Sequence, residues 1–295
     1  MSKTVFTSIV GCPNVGKSSI LNKILGRKVA IVTQKPQTTR TKITGVLTSG
    51  ETQYVFTDTP GFHRPRNVLD RKMMKAVGEG ISGMDVCLFV TEPGGSIREE
   101  EKELLERLAK EKVPVILALN KTDTVKEREM IARKILRMTE IYDFAAVVPV
   151  SAKTGDNIDA LLEEISAFAY ESPHYFPDDA LTDQPERVIA AEIIREKMLL
   201  YLDKEVPHGA AVSIERMRDR PQSDITDIDA EIYCERESHK GIIIGKGGSM
   251  LKKISSGARI DMERFFGCRI NLQCRVKVKE DWRNREGLIK NFGLD

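Results

Sequence analysis

Apolar positions in the first 170 residues follow two alternating rhythms. Short unbroken apolar runs at 5–10, 54–57, 115–119 and 147–150 have the length and continuity of strands buried on both faces. Between the first two runs, Ile20, Leu21, Ile24 and Leu25 recur at helical spacing, and Gly26 can end that helix. This alternation predicts an α/β domain, a mostly parallel sheet with helices on both faces. Beyond residue 185 the order changes. Ile189, Ile193, Ile194, Met198 and Leu202 fit a helix, the run 211–214 and the alternating Ile228, Ala230 and Ile232 fit strands, and 270–278 fits another strand, with a last helix over 284–292. That is a smaller α+β arrangement. The two patterns meet at Glu171-Ser172-Pro173-His174-Tyr175-Phe176-Pro177-Asp178-Asp179, where turn-type residues begin and persist to Pro185. The expected organisation is a first domain over 1–171, a semi-ordered linker over 172–185 and a second domain over 186–295.

Chemistry collects where the strands of the first domain stop. After the run 5–10 comes Gly11-Cys12-Pro13-Asn14-Val15-Gly16-Lys17-Ser18, the G-x-x-x-x-G-K-[ST] phosphate loop, placed between a strand and a helix as such a loop requires. Its glycines let backbone N–H groups, continuing through Val15 and Ser19, converge on phosphate oxygens. Lys17 adds a point charge near the β and γ phosphates, and the Ser18 hydroxyl can ligate Mg²⁺. The run 54–57 leads into Asp58-Thr59-Pro60-Gly61, so Asp58 can hold Mg²⁺ and the Gly61 N–H can approach the γ phosphate. The run 115–119 leads into Asn120-Lys121-Thr122-Asp123. A fixed carboxylate there accepts two hydrogen bonds from guanine, which adenine cannot supply, and Lys121 can lay its stem along the base. The run 147–150 leads into Ser151-Ala152-Lys153, whose backbone can donate to the guanine carbonyl. In open parallel sheets this carboxyl edge is where ligands bind, so the four segments should face one site.

These four ordered motifs resemble a Ras-like, translation-factor-class P-loop GTPase. The resemblance implies GTP and GDP as ligands, Mg²⁺ as cofactor and a switch threonine between the phosphate loop and Asp58. In Lys35-Pro36-Gln37-Thr38-Thr39-Arg40-Thr41 the expectation falls on Thr39, with Thr38 in reserve. Lys17, Thr39, Asp58 and Gly61 would then serve hydrolysis, and Ser18, Thr39 and Asp58 the metal. One departure bears on rate. Ras-like enzymes carry a water-orienting glutamine where this chain has Phe62, and a phenyl ring cannot hydrogen-bond water, so slow intrinsic hydrolysis is expected. The subfamily with a hydrophobic residue here also favours an asparagine in the phosphate loop. Asn14 accordingly either supports K⁺-stimulated hydrolysis or braces the loop.

The second domain is informative at His239-Lys240-Gly241-Ile242-Ile243-Ile244-Gly245-Lys246-Gly247-Gly248, followed by a basic helix with Lys252 and Lys253. Glycines let backbone pass close to a sugar-phosphate chain, and helix N-terminal amides with Lys240, Lys246, Lys252 and Lys253 supply positive potential, Ile244 closing the apolar lead-in. Between Lys240 and Arg285 there are twelve Lys or Arg against four Asp or Glu, on a chain whose formal net charge is only +2. This local excess is an electrostatic footprint for nucleic acid. The order of elements resembles a type II KH module, which clamps about four single-stranded nucleotides.

A GTPase with the Thr38-Thr39 pair, Phe62 and a carboxyl-terminal KH module is similar to the bacterial ribosome-assembly GTPases. That resemblance implies a GTP-hydrolysing switch that binds the single-stranded 3′ end of 16S ribosomal RNA and assists 30S subunit maturation. It also implies peripheral contact with the inner face of the cell membrane. No DNA partner is expected, and a monomer is. Two alternatives remain open: a tRNA-modifying GTPase, and an RNA-binding module whose GTP hydrolysis is vestigial. Trp282 and the last helix could add a contact, although packing against the KH core is the preferred reading. The remaining composition excludes more than it adds. No apolar stretch approaches the roughly 20 residues of a membrane span, and the five cysteines are scattered without C-x-x-C pairs, which fits a reducing cytoplasm better than a disulfide framework.

Overall fold

The computed structural model describes residues 1–294, and in it the chain divides into two compact units, 1–65 with 73–183 and 66–72 with 184–295.

In chain order the elements of the first part are β1 (Lys3–Val10), α1 (Lys17–Leu25), β2 (Ile43–Ser49), β3 (Thr52–Asp58), α2 (Val68–Ile81), β4 (Val86–Thr91), α3 (Glu99–Glu111), β5 (Val115–Leu119), α4 (Arg128–Thr139), β6 (Ala146–Pro149), α5 (Ile158–Ser166) and β7 (Tyr170–Glu171). The sheet runs β2-β3-β1-β4-β5-β6, with β7 pairing β1. Every pairing is parallel except those of β2 with β3 and β7 with β1. All residues of β4 and β5 are buried, which is why these strands read as unbroken apolar runs. Val5, Ile9, Tyr54, Phe56, Leu88, Val90, Ile116 and Ala118 pack with Ile20, Leu21 and Ile24 of α1 and Leu161 and Ile165 of α5 in one core. Because the strands are parallel, β1, β3, β5 and β6 all end at the same sheet edge, and so do the polar segments that follow them.

The segment after β7 is fixed to the first unit rather than hanging as a connector. Thr4 Oγ1 donates to the Pro173 carbonyl at 3.3 Å, and Gln53 Oε1 accepts from the N–H groups of Tyr175 and Phe176 at 2.8 and 3.0 Å. On edge strand β2, Val46 N–H donates to Leu181 O at 2.9 Å and Thr44 O accepts from Thr182 Oγ1 at 2.6 Å. Backbone groups at the sheet margin needed partners, and this stretch supplies them. Periodicity carries no sign of it, because the pairings join residues more than a hundred positions apart.

The second part contains α6 (Glu186–Tyr201), β8 (Ala211–Asp219), β9 (Ile225–Cys234), α7 (Glu237–Ile244), α8 (Ser249–Phe266), β10 (Arg269–Val278) and α9 (Glu286–Asn291). Its sheet runs β10-β9-β8, with β10 parallel and β8 antiparallel to β9 and a register shift between Ile214 and Arg216. Ile189, Ile193, Ile194 and Met198 of α6 pack with Ile254, Ala258 and Met262 of α8 and with Ile228, Ala230 and Ile232 of β9. Trp282 is fully buried, its Nε1 donating to the Gly209 carbonyl at 2.9 Å and its ring lying 5.4 Å from that of Phe292. It is a core residue. No helix among the described residues is long and apolar enough to cross a membrane, and all five cysteines are free thiols.

Candidate functional site: a phosphate and guanine cradle and a glycine turn

Lys17, the first residue of α1, is buried, and its Nζ donates to the carbonyls of Gly11 at 3.1 Å and Cys12 at 3.0 Å. Burial lowers its pKa, opposed by the neighbouring Asp58 carboxylate. One residue on, Ser18 Oγ donates to Asp58 Oδ2 at 2.5 Å and lies 2.9 Å from Thr39 Oγ1, which is itself 3.4 Å from the same carboxylate oxygen. Three elements thus bring Ser18, Thr39 and Asp58 to one point. Thr38 points elsewhere, its Oγ1 bonded to Thr33 Oγ1 and to the Lys35 carbonyl, each at 2.7 Å. The other carboxylate oxygen, Asp58 Oδ1, is buried and unpaired among the described residues, and burial pushes this carboxyl up to about 6. Two hydroxyls and a carboxylate with an orphaned oxygen are a hard-oxygen set that fits Mg²⁺. No group of three or more His, Cys, Asp or Glu that could hold a metal exists among the described residues, so the rest of such a shell would come from nucleotide phosphates and water.

The segment after Asp58 lies directly on the phosphate loop. Phe62 N–H donates to the Gly11 carbonyl at 3.0 Å, and a Cβ on Gly61 would stand 2.7 Å from Pro13 Cα. Only glycine allows that approach. The Gly61 N–H has no partner among the described residues, and so stays available to an incoming oxygen. Phe62 itself is buried, with the Arg107 guanidinium 4.8 Å over its ring, so its side chain is a packing element. Cys12 sits inside the loop, but burial raises its thiol to about 11 and leaves it inert. Ser19 is half-buried in the first turn of α1.

Asn120 holds the site together. Its Nδ2 donates to the Val15 carbonyl at 2.9 Å and its Oδ1 accepts from Ala152 N–H at 3.0 Å, joining phosphate loop, β5 and the loop after β6. One N–H of its amide is thus spent within the protein, and the second N–H of Nδ2 stays available to a base. Ser151 N–H is taken by the Asp156 carbonyl and Ala152 N–H is shared with Asn120, leaving Lys153 N–H without a partner among the described residues. Asp123 Oδ1 accepts from Ser151 Oγ at 2.8 Å, and Lys153 Nζ stands 3.7 Å from Oδ2, so the carboxylate is oriented before any base arrives. Lys121 is stretched across the same mouth, its Nζ bonded to the Asn14 carbonyl and paired with Glu92. Asn14, at φ 66°, donates from Nδ2 to the Gln34 carbonyl at 2.9 Å. Glu92 and Gln34 escaped sequence reasoning, because neither lies in a spaced motif.

In the second unit Gly245 ends α7 at φ 72°, and a Cβ there would meet Met250 N at 2.9 Å, so the turn closes tightly onto α8. Gly247 and Gly248 also have positive φ, but nothing lies within 4 Å of where their side chains would be, which leaves bare backbone facing outward. Lys246 and Lys252 are exposed at this turn. Lys253 Nζ instead sits 4.5 Å over the Tyr201 ring, and Lys240 Nζ lies 3.8 Å from Glu237, so two of the expected RNA contacts already have partners within the unit. Ile244 is half-buried. Ile242 is 50% exposed on the last turns of α7, an apolar side chain close in sequence to the turn.

Strand order, phosphate loop, oriented Asp123 and glycine turn define a P-loop GTPase domain joined to a KH domain. A profile of 50S ribosome-binding GTPases matches residues 6–121, and a KH domain profile matches residues 205–283. The chain is 48% identical to GTPase Era of Clostridioides difficile (strain 630), over 100% of this chain and 99% of that one, and 45% identical to GTPase Era of Alkaliphilus metalliredigens (strain QYMF), over 99% of each. Among solved structures it is similar to Era in complex with MgGDPNP and nucleotides 1506–1542 of 16S ribosomal RNA, with TM-score 0.96 and 35% identity over 100% of this chain and 99% of that one. It is equally similar to a point variant of Aquifex aeolicus Era bound to GDP.AlF4-, with TM-score 0.96 and 36% identity over 99% of each. The chain belongs to the GTPase Era family, and it is a GTPase.

Proposed function

We propose that the protein is a GTP-hydrolysing switch that binds the single-stranded 3′ end of 16S ribosomal RNA and assists maturation of the 30S subunit. The observation that carries this reading is the meeting of Lys17, Ser18, Thr39 and Asp58 at one point of a chain that also presents an open glycine turn between α7 and α8. A full-length relative bound to both MgGDPNP and that RNA supports it. Lys17 and the N–H groups of the loop 11–19 would hold the phosphates, and Asp123, oriented by Ser151, would select guanine. Ser18, Thr39 and Asp58 would hold Mg²⁺, which when bound neutralises charge on the β and γ phosphates. The Gly61 N–H would read the γ phosphate. With Phe62 packed under Arg107, no side chain at that position orients water, so intrinsic turnover is slow. Lys246, Lys252 and the bare backbone of 245–248 would take RNA phosphates, and Ile242 would pack against a base.

Asn14 serves two purposes in this reading. Its Nδ2 braces Gln34, while its Oδ1, without a partner among the described residues, would ligate K⁺ beside the phosphates. Equal turnover in sodium and potassium buffers would sink the second purpose. Peripheral contact with the inner membrane face, in an otherwise cytoplasmic protein, rests on family resemblance alone, and flotation with vesicles of bacterial lipid tests it.

The decisive experiment is crosslinking in cells, mapping which RNA contacts 245–248. Recovery of 16S 3′-end sequence is expected, and recovery of transfer or messenger RNA alone would overturn the reading. Single-turnover GTP cleavage with and without a 3′-end oligonucleotide separates a working switch from vestigial hydrolysis.

A further inference from the structure

A second cationic cavity lies in the first unit, and none of its lining residues has been assigned to the phosphate and guanine cradle. It measures about 210 Å³ and is lined by Pro93 and Gly95 of the loop after β4 and by Met130, Arg133, Lys134 and Arg137 of α4. Three cations and no carboxylate face it. Lys134 is the informative residue: it is only 4% exposed, yet its ammonium makes no hydrogen bond among the described residues. It forms an ion pair with Glu101, whose Oε2 stands 3.8 Å away. That carboxylate is already engaged, accepting from Arg98 N–H at 2.8 Å and from the Thr91 hydroxyl. A lysine ammonium has three donors, and the long contact with a carboxylate shared by two other donors leaves it capacity for a further acceptor. Arg133 and Arg137 are exposed one turn apart on the same face, and neither has an ion-pair or hydrogen-bond partner among the described residues.

We propose that this cavity is a binding site for the terminal phosphate of a phosphate monoester. Lys134 meets it from below and Arg133 and Arg137 from the rim. The volume is below the ~300 Å³ of pockets for drug-sized ligands, and it accommodates a phosphate with a small substituent. A monoester carries close to two negative charges at neutral pH, which matches three converging cations better than a singly charged backbone diester does. Guanidinium groups suit such an anion because each can donate two parallel hydrogen bonds. Met130, 40% exposed, gives the substituent an apolar side. Two sources carry this group, the 5′ end of an RNA and a small phosphorylated metabolite.

The test uses the full chain loaded with GDP, so that the first site is filled. Inorganic phosphate is titrated into isotope-labelled protein against sodium chloride of equal ionic strength. Saturable shifts are expected at the amides of Gly94, Gly95 and Ser96 and along α4. Arg133→Ala with Arg137→Ala should weaken binding roughly tenfold or more while leaving basal GTP cleavage unchanged. Both positions are exposed, so this variant folds even if a Lys134→Met protein does not. To separate the sources, a 5′-phosphorylated oligonucleotide is compared with its 5′-hydroxyl form. Tighter binding of the first, lost in the double variant, identifies an RNA end; equal binding of the two with saturable inorganic phosphate identifies a metabolite. Phosphate shifts no larger than those from chloride, or an unchanged affinity in the double variant, would overturn the proposal.

Discussion

Asp123 shows what a single side chain contributes when its orientation is settled in advance. Ser151 Oγ holds one carboxylate oxygen at 2.8 Å, so the pair of acceptors is presented without reorganisation. Replacing Asp123 by Asn turns one acceptor into a donor. GTP affinity should fall by about 10- to 100-fold, corresponding to ~1–3 kcal/mol for an unmatched buried polar group, and preference should move towards xanthine nucleotides. Competition binding with GTP and XTP checks this, and an unchanged preference refutes the assignment. Gly61 makes a steric prediction. A methyl group 2.7 Å from Pro13 Cα must push the 58–62 segment off the phosphate loop. Gly61→Ala should therefore retain GDP affinity within a few-fold while single-turnover GTP cleavage drops at least tenfold; normal cleavage would show that the Gly61 N–H is not used. Residue identities were legible because motif spacing records chemistry directly. The duties of Asn120, Lys253 and Glu92 were not, since each is set by a partner far along the chain: Val15 lies 105 residues from Asn120.

At the scale of elements, apolar runs revealed the strands and hid what covers their edges. β4 and β5 are buried throughout, so composition alone marks them. The stretch 172–183 has turn-type residues that say nothing of where it lies. His174 gives it a testable property. One ring nitrogen lies 2.6 Å from Asp178 Oδ1 and the other 3.1 Å from the Glu51 carbonyl, two acceptors that favour the imidazolium, in which both nitrogens donate. These acceptors raise its pKa. A histidine raised in the folded state contributes fully below its unfolded value of about 6.5, and the contribution disappears as pH climbs through the folded value. The charge acting on the ring is that of Asp178, whereas Glu51 meets it through its carbonyl and its carboxylate pairs with the chain's amino group. Hydrogen-exchange protection of amides 175–182 should therefore decline as pH rises above about 6.5, and His174→Gln should flatten that decline. Constant protection in the parent protein would show that the contact contributes nothing.

For the whole molecule, two cores with separate residues, one around Ile9, Leu88 and Ile116 and one around Ile194, Ile232 and Ile254, predict two unfolding events. GDP with Mg²⁺ at 100 times its dissociation constant should add about 2.7 kcal/mol to one transition only. Trp282→Ala, which empties a buried indole site, should lower the other by about 3–5 kcal/mol. Calorimetry reads both, and a single transition moved by either change would show one cooperative unit. The orphaned Asp58 oxygen carries this further. Asp58 and Lys17 are buried in one cradle and offset each other only in part, the remaining partners arriving with the phosphates and Mg²⁺, so the nucleotide-free form is less stable than the loaded one. In a cell, where proteases sample whatever opens, survival of the chain should then track the supply of guanine nucleotides. Starvation for them should shorten its half-life before any effect on its synthesis is felt, which pulse-chase measurement during guanine limitation would reveal.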